Sequence, residues 1–277
     1  MAITANRPSQ DLVDIVKSLD GKWHGSFAMA RCPAHPDGAP SLSLRQGNIR
    51  ILVKCFAGCS PDAIFQALKL TPRVRGALAP DYRPAPSTAN VARIWDDARE
   101  IKGTLAERYL KIRKLPLNLP DIRFHPRCPH KPKPHTEFKP ALIVAVREGP
   151  VLKAIQRIFL DPNTGFRTEK VMLGQPGMAA WRPPLIEDTL AIAEGFEDAA
   201  AYTKLHGIVC WSALGSERLP LLAIPDSIKE LVIAEDNNQP GRHGAKRAWK
   251  AYLRPGLKLR RHTPRPFEDW AAVNEAR

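Results

Sequence analysis

The chain has 277 residues, 44% of them hydrophobic, and a formal net charge of +14. The hydrophobic share is enough for folded cores. No apolar run approaches the roughly 18 residues of a membrane span, and the first residues lack the apolar core of a secretion signal, so we expect a cytoplasmic protein without a membrane partner. Residues 101–140 hold ten Lys/Arg and three Asp/Glu, a net +7 that is half of the total. This balance favours nucleic acid as a partner, and the alternative is an ordinary solvated basic surface.

The first predicted domain, residues 1–70, combines two short helices with two strands. Residues 9–19 place apolar side chains on one helical face, and Ser60 with Pro61 begins a second helix that runs to about residue 68. Between the helices, the runs 41–44 and 49–54 are predicted as paired strands. Residues 71–90 hold four prolines and little apolar periodicity, which is typical of a linker.

The second predicted domain, residues 91–185, is a mixed α+β segment. A helix is predicted over 91–113, and residues 116–140 are rich in proline and predicted to be irregular. Alternating apolar runs then indicate antiparallel strands at 141–146, 152–159 and 170–173.

The third predicted domain, residues 186–277, begins where the pattern changes to strand–helix alternation. Apolar runs such as TLAIAEG and ELVIAED are separated by helical stretches such as EDAAAYTKL. This alternation predicts a parallel sheet flanked by helices.

Two short segments of the first domain carry ligands suited to zinc. Residues 32–35 are Cys-Pro-Ala-His and residues 55–59 are Cys-Phe-Ala-Gly-Cys. Two knuckles held together by strands can close a tetrahedral site, so Cys32, His35, Cys55 and Cys59 are predicted to bind structural Zn²⁺. The alternative is buried thiols beside an incidental histidine. A second group (His125, Cys128, His130 and His135) has irregular spacing, and we interpret it as a solvated loop that faces phosphate.

Four acids lie where the strands of the third domain are predicted to end. Glu194 and Asp236 directly follow apolar strands, Asp198 lies one turn into a helix, and Asp269 follows the last strand. Ligand sites of parallel sheets form beyond the carboxyl ends of the strands, and carboxylates are the ligands that Mg²⁺ prefers. The alternative is that such acids only balance helix dipoles, which would account for Asp198 more readily than for Glu194 or Asp236.

The first of two resemblances concerns the zinc segment. RCPAHPDGAPSLSL followed by VKCFAGCSPDAIFQAL resembles the zinc-binding domain of bacterial and phage primases. Three residues separate the cysteines of the second knuckle, which resembles the phage- and plasmid-borne branch. The resemblance implies that this module helps to contact template DNA.

The second resemblance concerns the acids. AIAEGFEDAAAY and LVIAEDNNQPGRHGAKRA resemble the toprim domain of primases and topoisomerases. It implies a divalent-metal site of Mg²⁺ or Mn²⁺ and a catalytic role for Glu194 and Asp236. The implied metal-facing residues are Glu194, Asp198, Asp236, Asn238 and Asp269. Asn238 departs from the family pattern, which has a second Asp there, and Arg242 completes the turn.

The predicted fold is therefore α/β, with an N-terminal zinc ribbon, a mixed α+β middle segment that forms the basic part of a polymerase core, and a C-terminal toprim domain. The resemblance implies a DNA primase that synthesises short RNA primers from ribonucleoside triphosphates on a single-stranded DNA template, beside a replicative helicase. The predicted nucleic-acid- or nucleotide-binding residues are Arg108, Lys111, Arg113, Lys114, Arg123, Arg127, Arg157, Lys170 and Arg242. Tyr109 and Phe124 are predicted either to stack on bases or to lie in the core. The alternative functions are a non-catalytic module that binds single-stranded DNA or a helicase, and a toprim nuclease.

Overall fold

A computed structural model describes residues 8–24, 27–47, 51–69, 91–131 and 135–277. The chain divides into two compact units: residues before position 90 together with Pro129–Phe138, and Asn90–Cys128 together with Lys139–Arg277. The predicted linker, residues 71–90, lies outside the described residues. Within the described ranges, no helix is both long and apolar enough to cross a membrane.

The first unit is a four-stranded antiparallel sheet with two helices. Its elements are α1 (Gln10–Ser18), β1 (Lys22–His24), β2 (Phe27–Ala30), β3 (Leu42–Gln46), β4 (Ile51–Cys55) and α2 (Pro61–Ala67). The strand order is β1-β2-β3-β4, so the predicted pairing of the last two strands is confirmed. Ser9 and Ser60 cap the two helices as predicted, each accepting a backbone N–H three residues on. The register pairs Leu42 with Cys55, which brings the second knuckle beside the end of the first.

The middle segment holds two helices and a second antiparallel sheet. Its elements are α3 (Val91–Asp96), α4 (Leu105–Ile112), β5 (Ile122–His130), β6 (Glu137–Glu148), β7 (Val151–Leu160) and β8 (Arg167–Gly174). The predicted single helix over 91–113 is wrong because Gly103 adopts a left-handed φ of +70° and Thr104 starts a new helix by capping Ala106 N–H. The three predicted strands after residue 140 are present and pair in the predicted antiparallel order.

The prediction of an irregular stretch over 116–140 is also wrong, because β5 runs through it. The sheet order is β5-β6-β7-β8, so β5 is an edge strand, where proline is tolerated because one side makes no ladder hydrogen bonds. Alternate residues Phe124, Cys128 and His130 are buried. His125, Cys128 and His130 of the second predicted group thus lie in a strand rather than a solvated loop, and His135 lies between β5 and β6. Among the described residues these four side chains form no group able to hold a metal.

The third segment is the predicted parallel sheet with flanking helices. Its elements are β9 (Thr189–Ala193), α5 (Phe196–His206), β10 (Cys210–Ser212), a 3₁₀ helix (Ser216–Leu221), β11 (Glu230–Ala234), α6 (Gln239–Tyr252), β12 (Lys258–His262) and α7 (Trp270–Ala276). All strands are parallel in the order β10-β9-β11-β12. Alternate residues of β9 face opposite layers: Leu190 and Ile192 pack with α6, and Ala191 and Ala193 pack with α5. Both faces are covered, as expected for a parallel sheet.

Candidate functional site

The first site is the group Cys32, His35, Cys55 and Cys59, here called the zinc cluster. One ligand atom from each residue lies within 4.8 Å of the others. His35 Nδ1 lies 3.2 Å from Cys59 Sγ and 4.0 Å from Cys55 Sγ, so the ring presents this nitrogen to the thiols. Burial raises the pKa of Cys55, but the Cys59 backbone N–H and the Ser41 hydroxyl outweigh it and lower the pKa to about 7. Three thiols and one imidazole in a closed arrangement fit structural zinc.

A residue that sequence reasoning missed, Asp37, supports the zinc cluster. Its carboxylate lies 3.6 Å from His35 Nε2, on the ring edge opposite the thiols. It also accepts the N–H of Cys32 at 2.6 Å and the hydroxyl of Ser41 at 2.5 Å. A carboxylate on the far nitrogen of a metal-binding histidine fixes its tautomer and raises its basicity. Asp37 stands two residues after His35, and it supports the histidine without being a zinc ligand itself.

We expect Asp37→Asn to weaken zinc affinity by about 10- to 100-fold, because the amide keeps the shape but loses the charge that orients His35. Competition with a chromogenic zinc chelator measures the change. Asp62→Asn, an exposed acid of the same unit, should leave the affinity at the wild-type value. Equal affinities for Asp37→Asn and wild type would show that His35 needs no such support.

The second site lies at the carboxyl ends of β9 and β11. These strands are neighbours in parallel register, with Ala193 opposite Ala234, so Glu194 and Asp236 leave the sheet at the same edge. Asp198 lies in the first turn of α5, and Asp269 caps α7 through a 2.7 Å bond from Ala272 N–H. We call Glu194, Asp198, Asp236 and Asp269 the acidic edge. Its position is the one predicted from the strand–helix alternation.

Two glycines allow the first turns of α5 and α6 to lie close to acids of the acidic edge. A Cβ on Gly195 would overlap the Asp198 carboxylate, and a Cβ on Gly241 would lie 2.7 Å from Asp236 Cβ. Larger side chains would therefore push the first turns of α5 and α6 away from the strand ends. Steric crowding thus explains why glycine stands at position 195, after Glu194, and at position 241, in the first turn of α6.

The acidic edge is electrostatically strained without a cation. Burial raises the pKa of Asp236 to about 8, with further contributions from Asp198 and Glu194. Burial, Asp269 and Glu197 raise the pKa of Asp198 to about 7. The pKa of Glu194 is raised by burial and by Glu217. Asp236 and Asp198 each hold a proton more tightly because of burial and of neighbouring acids, and such a site favours a bound cation.

The donors at the acidic edge fit a hard divalent metal. Oδ1 of Asp236 is buried and has no hydrogen-bond partner among the described residues, and the residue as a whole is only 9% exposed. Oxygen donors with excess negative charge are what Mg²⁺ and Mn²⁺ bind. Among the described residues only the zinc cluster brings three or more ligand groups into a metal-binding arrangement. The like-charged carboxylates of the acidic edge would therefore have to draw together around a metal.

Two predicted metal ligands have other partners. Asn238 Oδ1 accepts the N–H of Gly241 at 2.8 Å and caps α6. Asp198 accepts the N–H of Ala271 at 3.0 Å, which joins α5 to the start of α7. Asp198 is buried in the first turn of α5, a position where the helix dipole favours an acid.

Glu197, which was not predicted, is the centre of a buried ion-pair network. It accepts hydrogen bonds from the Tyr109 hydroxyl, from Lys170 Nζ at 2.6 Å and from Arg167 Nη1 at 3.4 Å. The network joins α4, β8 and α5. Lys170 was predicted to face nucleotide or template, and here its ammonium is paired with Glu197.

Arg157 and the predicted stacking residues are buried. Arg157 is 7% exposed, and its guanidinium lies 5.5 Å from the centre of the Phe159 ring. Tyr109 and Phe124 are 1% and 4% exposed and belong to the hydrophobic core. In this conformation they are core residues, and none of the three offers a surface to DNA.

The other predicted basic residues lie at or near the surface, and several have protein partners. Arg108 donates to the Asn163 carbonyl, Lys111 pairs with Glu107 at 2.7 Å, Arg113 pairs with Glu275 at 2.7 Å, Lys114 donates to the Glu275 carbonyl, Arg123 stacks 4.4 Å from the Trp95 ring, and Arg242 donates to the Asn237 carbonyl. Arg127 is exposed. These contacts orient the cations on the surface, and binding of phosphate would compete with the exposed pairs, which are individually weak.

Sequence comparison matches two parts of the chain to known families. Residues 189–276 match the toprim domain, and residues 85–183 match a domain of unknown function (DUF7146). No curated protein sequence matches the chain significantly. The chain is thus a toprim-domain protein with a Cys₃His cluster in its N-terminal unit. This combination confirms the predicted resemblance to zinc-bearing toprim primases, and the phage or plasmid branch stays a prediction.

Three solved structures to which the chain is similar are of primases. A DNA primase domain from Pseudomonas aeruginosa is 15% identical with a TM-score of 0.48, over 67% of this chain and 73% of that chain. The Aquifex aeolicus primase (zinc-binding and RNA polymerase domains) is 14% identical with a TM-score of 0.46, over 98% of this chain and 81% of that chain. The primase fragment of the bacteriophage T7 primase-helicase protein is 12% identical with a TM-score of 0.39, over 91% and 93%.

Proposed function

We propose that the chain is a DNA primase, which joins ribonucleotides into short RNA primers on single-stranded DNA. The observation that carries the proposal is the acidic edge, where carboxylates follow two neighbouring parallel strands. Burial, Asp198 and Glu194 raise the pKa of Asp236 there, and one of its buried oxygens has no hydrogen-bond partner among the described residues. The zinc cluster and the net charge of +14 support a nucleic-acid partner.

The residues have distinct roles in this proposal. Glu194, Asp236, Asp198 and Asp269 would hold Mg²⁺ or Mn²⁺, which when bound neutralises charge on the reacting phosphates. In the reaction a 3′-hydroxyl oxygen forms a bond to the α-phosphorus while the bond to pyrophosphate breaks. Glu194, whose pKa is raised by burial and by Glu217, would accept the hydroxyl proton. The exposed cations Arg108, Lys111, Lys114, Arg127 and Arg242 would contact template or nucleotide phosphates.

The second candidate function is a non-catalytic module that binds single-stranded DNA or a replicative helicase. The use of Asn238 Oδ1 as a helix cap favours it, because that oxygen is then engaged away from a metal. A toprim nuclease is a third candidate, since the same carboxylates can activate water. A cytoplasmic location remains a prediction.

Incorporation of labelled ribonucleotides on single-stranded DNA with Mg²⁺ or Mn²⁺ separates the three functions. A primase yields short labelled RNA from unprimed template. Tight DNA binding without product indicates the non-catalytic module, and metal-dependent loss of a labelled template strand indicates the nuclease.

The raised pKa values predict a pH-dependent response to metal. Without metal, folded Asp236 keeps its proton up to about pH 8, whereas the ordinary pKa of an aspartate is 3.8. The folded chain therefore binds an extra proton between these values, and stability falls as pH rises through this range. A divalent metal relieves this repulsion and must displace protons at lower pH. We therefore expect Mg²⁺ to raise the Tm more at pH 8 than at pH 6. Thermal unfolding at both pH values, in Ca²⁺-free buffer and against a metal-free reference, measures the change in Tm that Mg²⁺ causes. An equal shift at both values would contradict the account.

A further inference from the structure

Asn238, where the toprim pattern has an acid, uses both ends of its amide. Oδ1 accepts the Gly241 N–H at 2.8 Å, and Nδ2 donates to Glu268 Oε1 at 3.3 Å. An aspartate at this position could also cap α6, but its carboxylate has no N–H to donate and would repel Glu268. The amide thus makes it possible for a second acid to approach.

Glu268 is also held by its backbone. Asn237 N–H donates to the Glu268 carbonyl at 2.6 Å, and Asn237 Nδ2 donates to the Phe267 carbonyl at 3.2 Å. These bonds tie the segment before α7 to the turn after β11, which carries Asp236. Glu268 is therefore fixed beside the acidic edge at both its main chain and its side chain.

Glu268 precedes Asp269 in the chain, and its side chain reaches Asn238, two residues after Asp236. Within the described part of the chain, no Lys or Arg forms an ion pair with Glu268, whereas Glu197 and Glu235 are each paired. An exposed acid without an ion pair, anchored to the two residues that follow Asp236, is suited to face a cation bound there.

We propose that Glu268 is a further metal-facing carboxylate of the acidic edge, positioned by the Asn238 amide, and that it supplies the negative charge that Asn238 lacks. This inference rests on the metal site of the proposed function. Compared with the toprim pattern, the helix-capping residue is neutral here, and the negative charge is instead on Glu268 in the segment before α7. The total number of carboxylates around the metal is thereby kept.

Mn²⁺ binding to the full zinc-loaded chain, followed by electron paramagnetic resonance without nucleotide or DNA, tests the proposal. We expect Glu268→Gln to weaken Mn²⁺ affinity about tenfold. Asn238→Ser keeps a helix-capping oxygen but removes the amide donor, and we expect a smaller loss. In the double variant the two losses should not add, because both remove the same interaction. Asp226→Asn, with the same change in charge at a 99% exposed site at the opposite ends of the strands, should bind as wild type.

The outcomes separate this inference from the proposed function. Wild-type affinity in Glu268→Gln together with a large loss in Asp236→Asn would overturn the role of Glu268 and keep the metal site. Wild-type affinity in both variants would overturn the metal site itself. Additive losses in the double variant would overturn the positioning by Asn238. Thermal unfolding of each metal-free variant shows that it is folded, and Glu268→Gln should not lower the Tm.

Discussion

Asp236→Asn is expected to reduce primer synthesis by about a thousandfold while making the metal-free protein more stable at pH 8. The loss of activity follows because Asp236 carries the buried, unpartnered oxygen at the centre of the acidic edge, and removing one preorganised electrostatic group costs about 10²–10³ in rate. The gain in stability follows because the amide has no charge to bury, whereas the raised pKa of Asp236 shows that its charge is unfavourable in the folded chain. Product formation on single-stranded DNA and the metal-free Tm measure the two effects.

The opposite signs of these two effects make the prediction specific. A variant that merely damages the fold loses both activity and Tm. Asp226→Asn should change neither, since Asp226 is 99% exposed and pairs with Arg254 at 2.9 Å. Undiminished primer synthesis by Asp236→Asn would refute a catalytic role for this carboxylate, and a lowered Tm at pH 8 would refute the electrostatic strain.

Removal of zinc is expected to unfold the first unit and leave the toprim domain folded. The unit is small, and its core contains Cys32 and Cys55 among a few apolar residues, so metal binding provides much of its stability. Structural zinc contributes roughly 10–16 kcal/mol in small metal-dependent domains. Hydrogen exchange read by mass spectrometry should show that protection is lost in β3 and β4 and kept in β9 and β11.

Two variants define the zinc prediction further. Cys55→Ser should reproduce the effect of a chelator and lower the zinc content below one ion per chain. Cys128→Ala removes a cysteine that lies outside the zinc cluster, and it should retain a full zinc content. Protection of β3 and β4 that persists in metal-free protein would show that the first unit folds without the metal.

The sequence was sufficient to predict the zinc cluster and the parallel sheet, because both have a characteristic pattern of residues within a short stretch of chain. The spacing of Cys32, His35, Cys55 and Cys59 identified the zinc cluster because soft ligands in two short knuckles have few other uses. The strand–helix alternation after residue 189 predicted a parallel sheet, and the place of Glu194 and Asp236 at one edge followed from that topology. Both patterns lie within short stretches of the chain, so they can be recognised without knowledge of tertiary contacts.

The features that sequence did not reveal depend on partners far away in the chain. Arg157 has a basic side chain in an alternating strand, and only the packing of β7 shows that it is buried. The pairing of Lys170 with Glu197 joins residues 27 positions apart. β5 contains prolines that argue against a strand until its edge position is known. The use of the Asn238 amide likewise depends on Glu268, 30 residues later.

Anomalous diffraction from crystals grown with Mn²⁺ would test most directly whether the acids at the ends of β9 and β11 share a divalent ion. The account predicts a manganese peak bound by Asp236 and at least one of Glu194 and Glu268, with the carboxylates drawn toward it. A fully ordered acidic edge at saturating Mn²⁺ with no peak at Asp236 would contradict it, and the DNA-binding module would then be the better description of the protein.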